Sequence, residues 1–171
     1  GRFVSKKSFY DLIKAAAQLQ RDNFPIQIEI FGSGPLEAEL REKINDLTLK
    51  NIQLIGWSEN LYDEFKKADV FCIPSQEEPF GLIIGEAMMS GLPVITTKTD
   101  GALEIFGAEP EKRGAIYVDF SSPDQIKNAI QEISIDEKRH LLAKNAQENI
   151  NTNFSLEKLS RKLKDLFENA D

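Results

Sequence analysis

Two carboxylates and a cluster of cations are the residues best placed to do chemistry in this chain of 171 amino acids. Glu78 lies in the segment Pro74-Ser75-Gln76-Glu77-Glu78-Pro79-Phe80-Gly81, and Glu86 follows inside an apolar stretch that opens at Gly81. If that stretch is a helix, Glu86 stands roughly 7.5 Å along the axis from its start, at about 1.5 Å per residue. A helix that opens on glycine offers free backbone N–H groups and the positive end of its dipole, and both suit a phosphate. A carboxylate a turn or so further on can accept paired hydrogen bonds from the diol of an attached ribose, while Glu78 can meet a second sugar across the phosphates. The cations lie near the other end of the chain. Residues 1–21 hold Arg2, Lys6, Lys7, Lys14 and Arg21 against Asp11 alone, a net +4, so the rest of a chain of net −7 carries −11. Arg2 or Lys7 can hold an anion from the side opposite the helix.

The spacing alone is weak, because two glutamates eight apart are unremarkable among 28 acidic residues. Position gives it weight. Apolar residues Leu12, Ile13, Ala16 and Leu19 recur at helical spacing in Phe9–Leu19, and Ile26–Phe31 reads as a strand ended by Gly32-Ser33-Gly34-Pro35. A helix over about 36–49, a strand over Ile52–Ile55, a short helix over 61–68 and a strand over Val70–Ile73 follow. Then come a helix over 81–89, a strand over Pro93–Thr96, a last strand over Ala115–Val118 and helices through most of 123–169. Short strands alternating with helices predict right-handed crossovers and one doubly wound parallel sheet, Rossmann-like, with two or three extra C-terminal helices.

Such a sheet normally opens with a buried strand, yet this chain starts at Gly1-Arg2 and has no initiator Met. The expectation is a fragment whose first strand lies upstream. In the common order 3-2-1-4-5-6 the switch point then falls between that strand and Val70–Ile73, which makes Gly1–Lys7 face Pro74–Gly81 across the ligand crevice.

Composition narrows the classes. With 41% hydrophobic and 29% charged residues, the chain is neither collagenous nor wholly disordered. No apolar run nears the roughly 20 residues that span a bilayer, and no signal peptide opens the sequence. One Cys (Cys72) and one His (His140) give no disulfide framework and leave little for a structural zinc site. Cys72 points to a reducing compartment, hence a cytoplasmic protein, with membrane association of a longer chain left open. The acidic balance argues against nucleic acid as a partner.

Beyond the two carboxylates, Glu78-Pro-Phe-Gly-Leu-Ile-Ile-Gly-Glu86-Ala-Met-Met-Ser-Gly91-Leu-Pro93-Val-Ile resembles the E-x7-E signature of family-four glycosyltransferases with the glycosyltransferase B fold. Gly1-Arg2 with Lys7, Phe31–Pro35, Ile55-Gly56-Trp57, Ala68–Phe71, Pro74-Ser75 and Asp100–Ile105 fall in the family's order. The resemblance covers nearly the whole chain. It implies one nucleotide-sugar-binding domain over residues 1–171, the donor half of a retaining glycosyltransferase, with the acceptor domain absent from this chain. Arg2 and Lys7 match the basic pair that neutralises the departing diphosphate in place of a metal ion, so no cofactor is expected. Glu86 matches the carboxylate on the ribose and Glu78 the one near the donor sugar. Phe80, Gly81, Leu82 and Ile83 match the backbone donors to sugar and phosphate, and Ile55 and Gly56 the cradle of the base. Gly32 and Gly34 match a turn that lets the backbone approach the donor. The implied partners are a nucleotide-sugar, the chain's own missing N-terminal domain, and an acceptor glycan or lipid-linked glycan.

Two positions depart from the pattern: Ser8 stands where the family has Gly after the Lys, and Ala102 replaces the second Gly of a G-G pair. A nucleotide-sugar epimerase half on the same fold and a non-catalytic nucleotide-binding module are the alternatives. The isolated fragment is expected to be weak or inactive in transfer. Among the remaining residues, His140 reads as a surface residue, Cys72 as strand packing, and Met88 and Met89 as core filler. Trp57 either packs near the base or caps the core. Abundant Lys, Asn and Ile point to a bacterial source, and Phe154–Leu166 reads as one more amphipathic helix.

Overall fold

Strand and helix alternate as the apolar pattern dictates in the computed structural model, which describes residues 1–155 and residue 158. The order is α1 (Phe9–Arg21), β1 (Ile28–Phe31), α2 (Glu37–Asp46), β2 (Ile52–Gly56), α3 (Leu61–Phe65), β3 (Phe71–Ile73), α4 (Leu82–Met89), β4 (Val94–Thr97), α5 (Asp100–Phe106), β5 (Ala115–Val118), α6 (Pro123–Ile133) and α7 (Asp136–Asn153). Single 3-10 turns at Ser5–Lys7 and Pro110–Arg113 lead into α1 and β5. Most of the expected 154–166 helix lies outside the described residues. No described helix is long and apolar enough to cross a membrane.

Every strand pairing is parallel. The expected single sheet is, among the described residues, two ladders: β1 with β2, and β3-β4-β5. Between them runs the start of the chain, held to the β1 side by a parallel bridge between Arg2 and Ser33 and by Phe3 N–H donating to the Ser33 carbonyl at 2.8 Å. Double winding follows from the two-residue period of a strand. Cys72, Ile95, Ile116 and Val118 face a core shared with Leu12, Ile13, Ala16, Ile126 and Ile130 of α1 and α6. Phe71, Ile73, Val94, Ala115 and Tyr117 face the opposite core, with Ile84 and Met88 of α4, Phe106 of α5 and Ala146 of α7. Because both faces are covered, β4 carries no exposed residue, as a central parallel strand requires.

One helix was not legible as such. Asp100–Phe106 is short and reads in sequence only as a motif, but Thr99 caps it by accepting from Ala102 N–H, and Tyr117 Oη donates to the Ala102 and Gly107 carbonyls. Burial pushes the Tyr117 hydroxyl above its usual pKa. Of the two methionines, Met88 is fully buried while Met89 is 59% exposed, which corrects the expectation that both fill the core. α4 turns Ile84, Ala87 and Met88 inward, and Met89, the next position round the helix, falls on its open face. His140 is exposed, as expected, and Cys72 is half-buried in β3.

Ser8 joins the Ser5–Lys7 turn to α1 with φ 53° and ψ 33°, a left-handed conformation that suits glycine. It is buried, and its hydroxyl has no hydrogen-bond partner among the described residues. Ser8→Gly relieves about 1 kcal/mol of backbone strain and removes an orphaned hydroxyl, against a smaller gain in unfolded-chain entropy. The expected outcome is a net stabilisation of about 1 kcal/mol, read as a higher urea midpoint at unchanged slope. A lower midpoint would show that Ser8 contributes a contact the strain does not outweigh.

Candidate functional site

The carboxyl ends of the strands carry the loops that matter, as an open α/β sheet leads one to expect. β1 runs into Gly32-Ser33-Gly34, β2 into Gly56-Trp57, β3 into Pro74–Gly81 and β4 into Lys98-Thr99-Asp100. The two outer turns are tied together by Gly32 N–H donating to the Gly56 carbonyl at 2.7 Å. Gly32 and Gly34 are needed for close approach: a Cβ on Gly32 would lie 1.7 Å from the Gly1 carbonyl oxygen, and one on Gly34 2.7 Å from the Phe3 nitrogen. These glycines let the basic N-terminal segment lie against the β1 turn.

That segment meets the β3–α4 loop directly. Gln76 N–H donates to the Lys6 carbonyl at 2.7 Å, Lys6 Nζ lies 2.6 Å from Glu77 Oε2, and Lys7 Nζ lies 2.5 Å from Glu78 Oε2. The juxtaposition expected from the sequence is therefore present, and it is closer than a crevice. Lys7 and Glu78 neutralise each other in a partly buried pair, their side chains 24% and 15% exposed. The Lys6–Glu77 pair is solvent-exposed and worth little energetically. It was not singled out from the sequence, and nothing in residue type could have paired it across 71 positions. Arg2 is exposed and forms no ion pair among the described residues.

Gly81 caps α4 with φ 63°, and helical bonding begins with Ile84 and Gly85 donating to its carbonyl. Among the described residues the N–H groups of Phe80, Gly81, Leu82 and Ile83 donate no hydrogen bond. They form a row of free donors at a helix N-terminus, the arrangement that binds anions. Glu86 is exposed on α4, within a helical turn or so of those donors. Phe80 and Leu82 are 81% and 74% exposed, which places apolar surface beside the free N–H groups. Ile55 is exposed next to Gly56, and Trp57, 74% exposed, does not cap the core. Among the described residues no cluster of three or more His, Cys, Asp or Glu forms.

Gly101 is the site residue whose role the sequence leaves unread. A Cβ there would lie 2.6 Å from both the Glu78 carbonyl oxygen and the Gly81 nitrogen, so only glycine lets the start of α5 touch the loop. Ala102, the departure from the G-G pair, is fully buried and faces the core rather than the loop.

Loops gathered at one end of a doubly wound parallel sheet, with free helix N–H groups facing a basic segment, define a Rossmann-like α/β domain. Residues 1–149 match the model of the family described as Glycosyl transferases group 1, and the chain belongs to that family. A curated relative is the lipopolysaccharide core biosynthesis glycosyltransferase LpsD of Rhizobium meliloti, 28% identical over 98% of this chain and 48% of its own length. Among solved structures, HepE of Anabaena in complex with UDP superposes with a TM-score of 0.84 at 23% identity, over 98% of this chain and 47% of that one. The C-terminal domain of the group 1 glycosyltransferase LpcC from Francisella tularensis superposes with a TM-score of 0.81 at 23% identity, over 91% of this chain and 84% of that domain. The fold is one Rossmann-like half of the glycosyltransferase B architecture. The chain spans about half the length of the first curated relatives it matches.

Proposed function

We propose that this chain is the donor-binding half of a retaining glycosyltransferase, which moves a sugar from a nucleotide-sugar to an acceptor glycan or lipid-linked glycan without a metal ion. The observation that carries the reading is the meeting of Lys7 and Glu78 at the mouth of α4, beside four free N–H groups and with Glu86 further along the same helix. The diphosphate of the donor sits on the N–H groups of Phe80–Ile83, where the helix dipole favours negative charge. Lys7 turns from Glu78 to the diphosphate, and Arg2, which has no carboxylate partner among the described residues, completes the positive side. As the glycosidic bond to the phosphate breaks, charge grows on the departing oxygen, and fixed cations stabilise that charge most in the transition state. Glu86 holds the ribose diol, Glu78 the donor sugar, and Ile55 and Gly56 border the base.

The acceptor domain belongs, on this reading, to the same polypeptide upstream. Support comes from the share of its relatives that the chain spans and from the parallel bridge of Arg2 to Ser33, which sets the start of the chain beside the β1 turn. The fragment alone then binds donor but transfers poorly, and efficient transfer by the fragment would overturn this division of labour.

Titration of the chain with UDP, GDP and ADP, repeated on Glu86→Ala, tests the site. One nucleotide is expected to bind and to lose about 10- to 100-fold in the variant, the cost of hydrogen bonds to a charged group. Equal affinity for both proteins would remove Glu86 from the site, and turnover of donor without acceptor would point to an epimerase.

A further inference from the structure

The β3–α4 loop that carries Glu78 is held from outside by three kinds of contact. The first is with the basic segment, through Gln76 N–H to the Lys6 carbonyl and through the Lys7–Glu78 pair. The second is Gly101 N–H donating to the Glu78 carbonyl at 2.8 Å. The third is the Thr97 hydroxyl, which donates to the Ser75 carbonyl. On the proposed function, the first contact is the one the donor disturbs, because Lys7 must leave Glu78 for the diphosphate. The other two remain, and Thr97 is the one that acts through a side chain.

We propose that Thr97 is a positioning residue: its buried hydroxyl anchors the β3–α4 loop to the sheet and fixes where the Glu78 carboxylate stands once Lys7 has turned away. The inference rests on the donor-site reading above. Three features make the anchor firm. Thr97 is the last residue of the central strand β4, paired in register with Val118, so its backbone is set by the β4–β5 ladder. Its branched Cβ restricts χ1, which keeps the hydroxyl aimed. Thr97 and Ser75 are each only 1% exposed, so water cannot replace the bond, and the Ser75 hydroxyl, itself unpartnered, does not serve as a substitute. Removing the Thr97 hydroxyl leaves a buried carbonyl without a donor, and the segment can regain a partner only by shifting the loop. No charge or catalytic motif marks this threonine in the sequence; it reads there as strand.

The test compares Thr97→Val, which keeps the shape, with Thr97→Ser, which keeps the hydroxyl, in the full chain. Two readouts separate anchoring from bulk stability. Amide exchange at Gln76 and Gly101 is expected to rise about tenfold or more in Thr97→Val while Ile95 and Tyr117 in the ladder stay protected. The preference for UDP-glucose over UDP, or for the matching pair if another base binds, is expected to fall about tenfold, with bare nucleotide within about twofold. On the proposed function the sugar is the part of the donor that Glu78 contacts directly, the phosphates feeling only its charge. Thr97→Ser should restore both. If Thr97→Val does not fold, Thr97→Ala gives the same two readouts without the buried methyl pair. Parent-like exchange at Gln76 and Gly101 in the hydroxyl-less variant overturns the anchor. Raised exchange with an unchanged sugar preference overturns its link to Glu78. If no nucleotide binds the parent, the donor-site reading fails, and the exchange at Gln76 and Gly101 alone still decides whether Thr97 holds the loop.

Discussion

Lys7→Ala is expected to weaken binding of a nucleoside diphosphate by about 10- to 100-fold and, on the proposed function, to lower sugar transfer by about 10²- to 10³-fold in a chain that includes the acceptor domain. The first figure is the worth of a charge-assisted hydrogen bond, about 1.5–3 kcal/mol. The second follows because a cation facing the departing diphosphate interacts most strongly when its charge is greatest, as loss of a single preorganised donor in other enzymes shows. The geometry adds a signature. Lys7 lies 2.5 Å from Glu78 in a partly buried pair, so the variant also leaves Glu78 without its cation beside the phosphates. The like charge should deepen the loss for diphosphates and leave the nucleoside, which carries no phosphate, almost unaffected. Calorimetric titration with the diphosphate and the nucleoside measures both. An equal loss for both ligands would mean that Lys7 supports the fold of the site and does not meet the phosphates.

For stability, the largest effect is expected at Gly114. Its φ is +94°, and a Cβ there would lie 2.3 Å from the Ala146 nitrogen and 2.4 Å from the Ala146 Cα. Those are backbone atoms of α7, which Asn145 and Asn149 tie to the carbonyls of Glu111, Arg113 and Ile105. Gly114→Ala must therefore adopt a left-handed alanine and push a packed helix aside. The expected loss is about 3 kcal/mol or more, a large share of the 5–15 kcal/mol typical of a domain. Gly91→Ala is the control: its φ is +85°, but nothing lies within 4 Å of the added Cβ, so only the backbone cost of about 1 kcal/mol applies. Urea unfolding of the two variants checks the difference. Equal midpoints would show that α7 yields freely, and that the Gly114 contact does not fix its position.

The sequence by itself determined the strands, most of the helices, the parallel topology and the bracket of Glu78 and Glu86 around the start of α4. Those features rest on local physics. Apolar periods of 2 and 3.6 residues mark strands and helices, glycine and proline mark where they end, and strand–helix alternation restricts the crossovers. The family resemblance, carried by short motifs in order, implied the roles proposed for Arg2, Lys7 and the backbone donors at Phe80–Ile83.

Tertiary structure alone decided the rest. It closed Lys7 onto Glu78 across 71 positions of sequence, where a crevice was expected. It split the expected single sheet into two ladders with the N-terminal segment between them. It exposed Met89 and Trp57, turned Asp100–Phe106 into a capped helix, and brought Gly101 and Thr97 against the loop that carries Glu78. The physical reason is the same in each case. Such contacts join residues far apart in the chain, and a glycine or threonine that serves them has the same local pattern as one that serves only a turn or a strand.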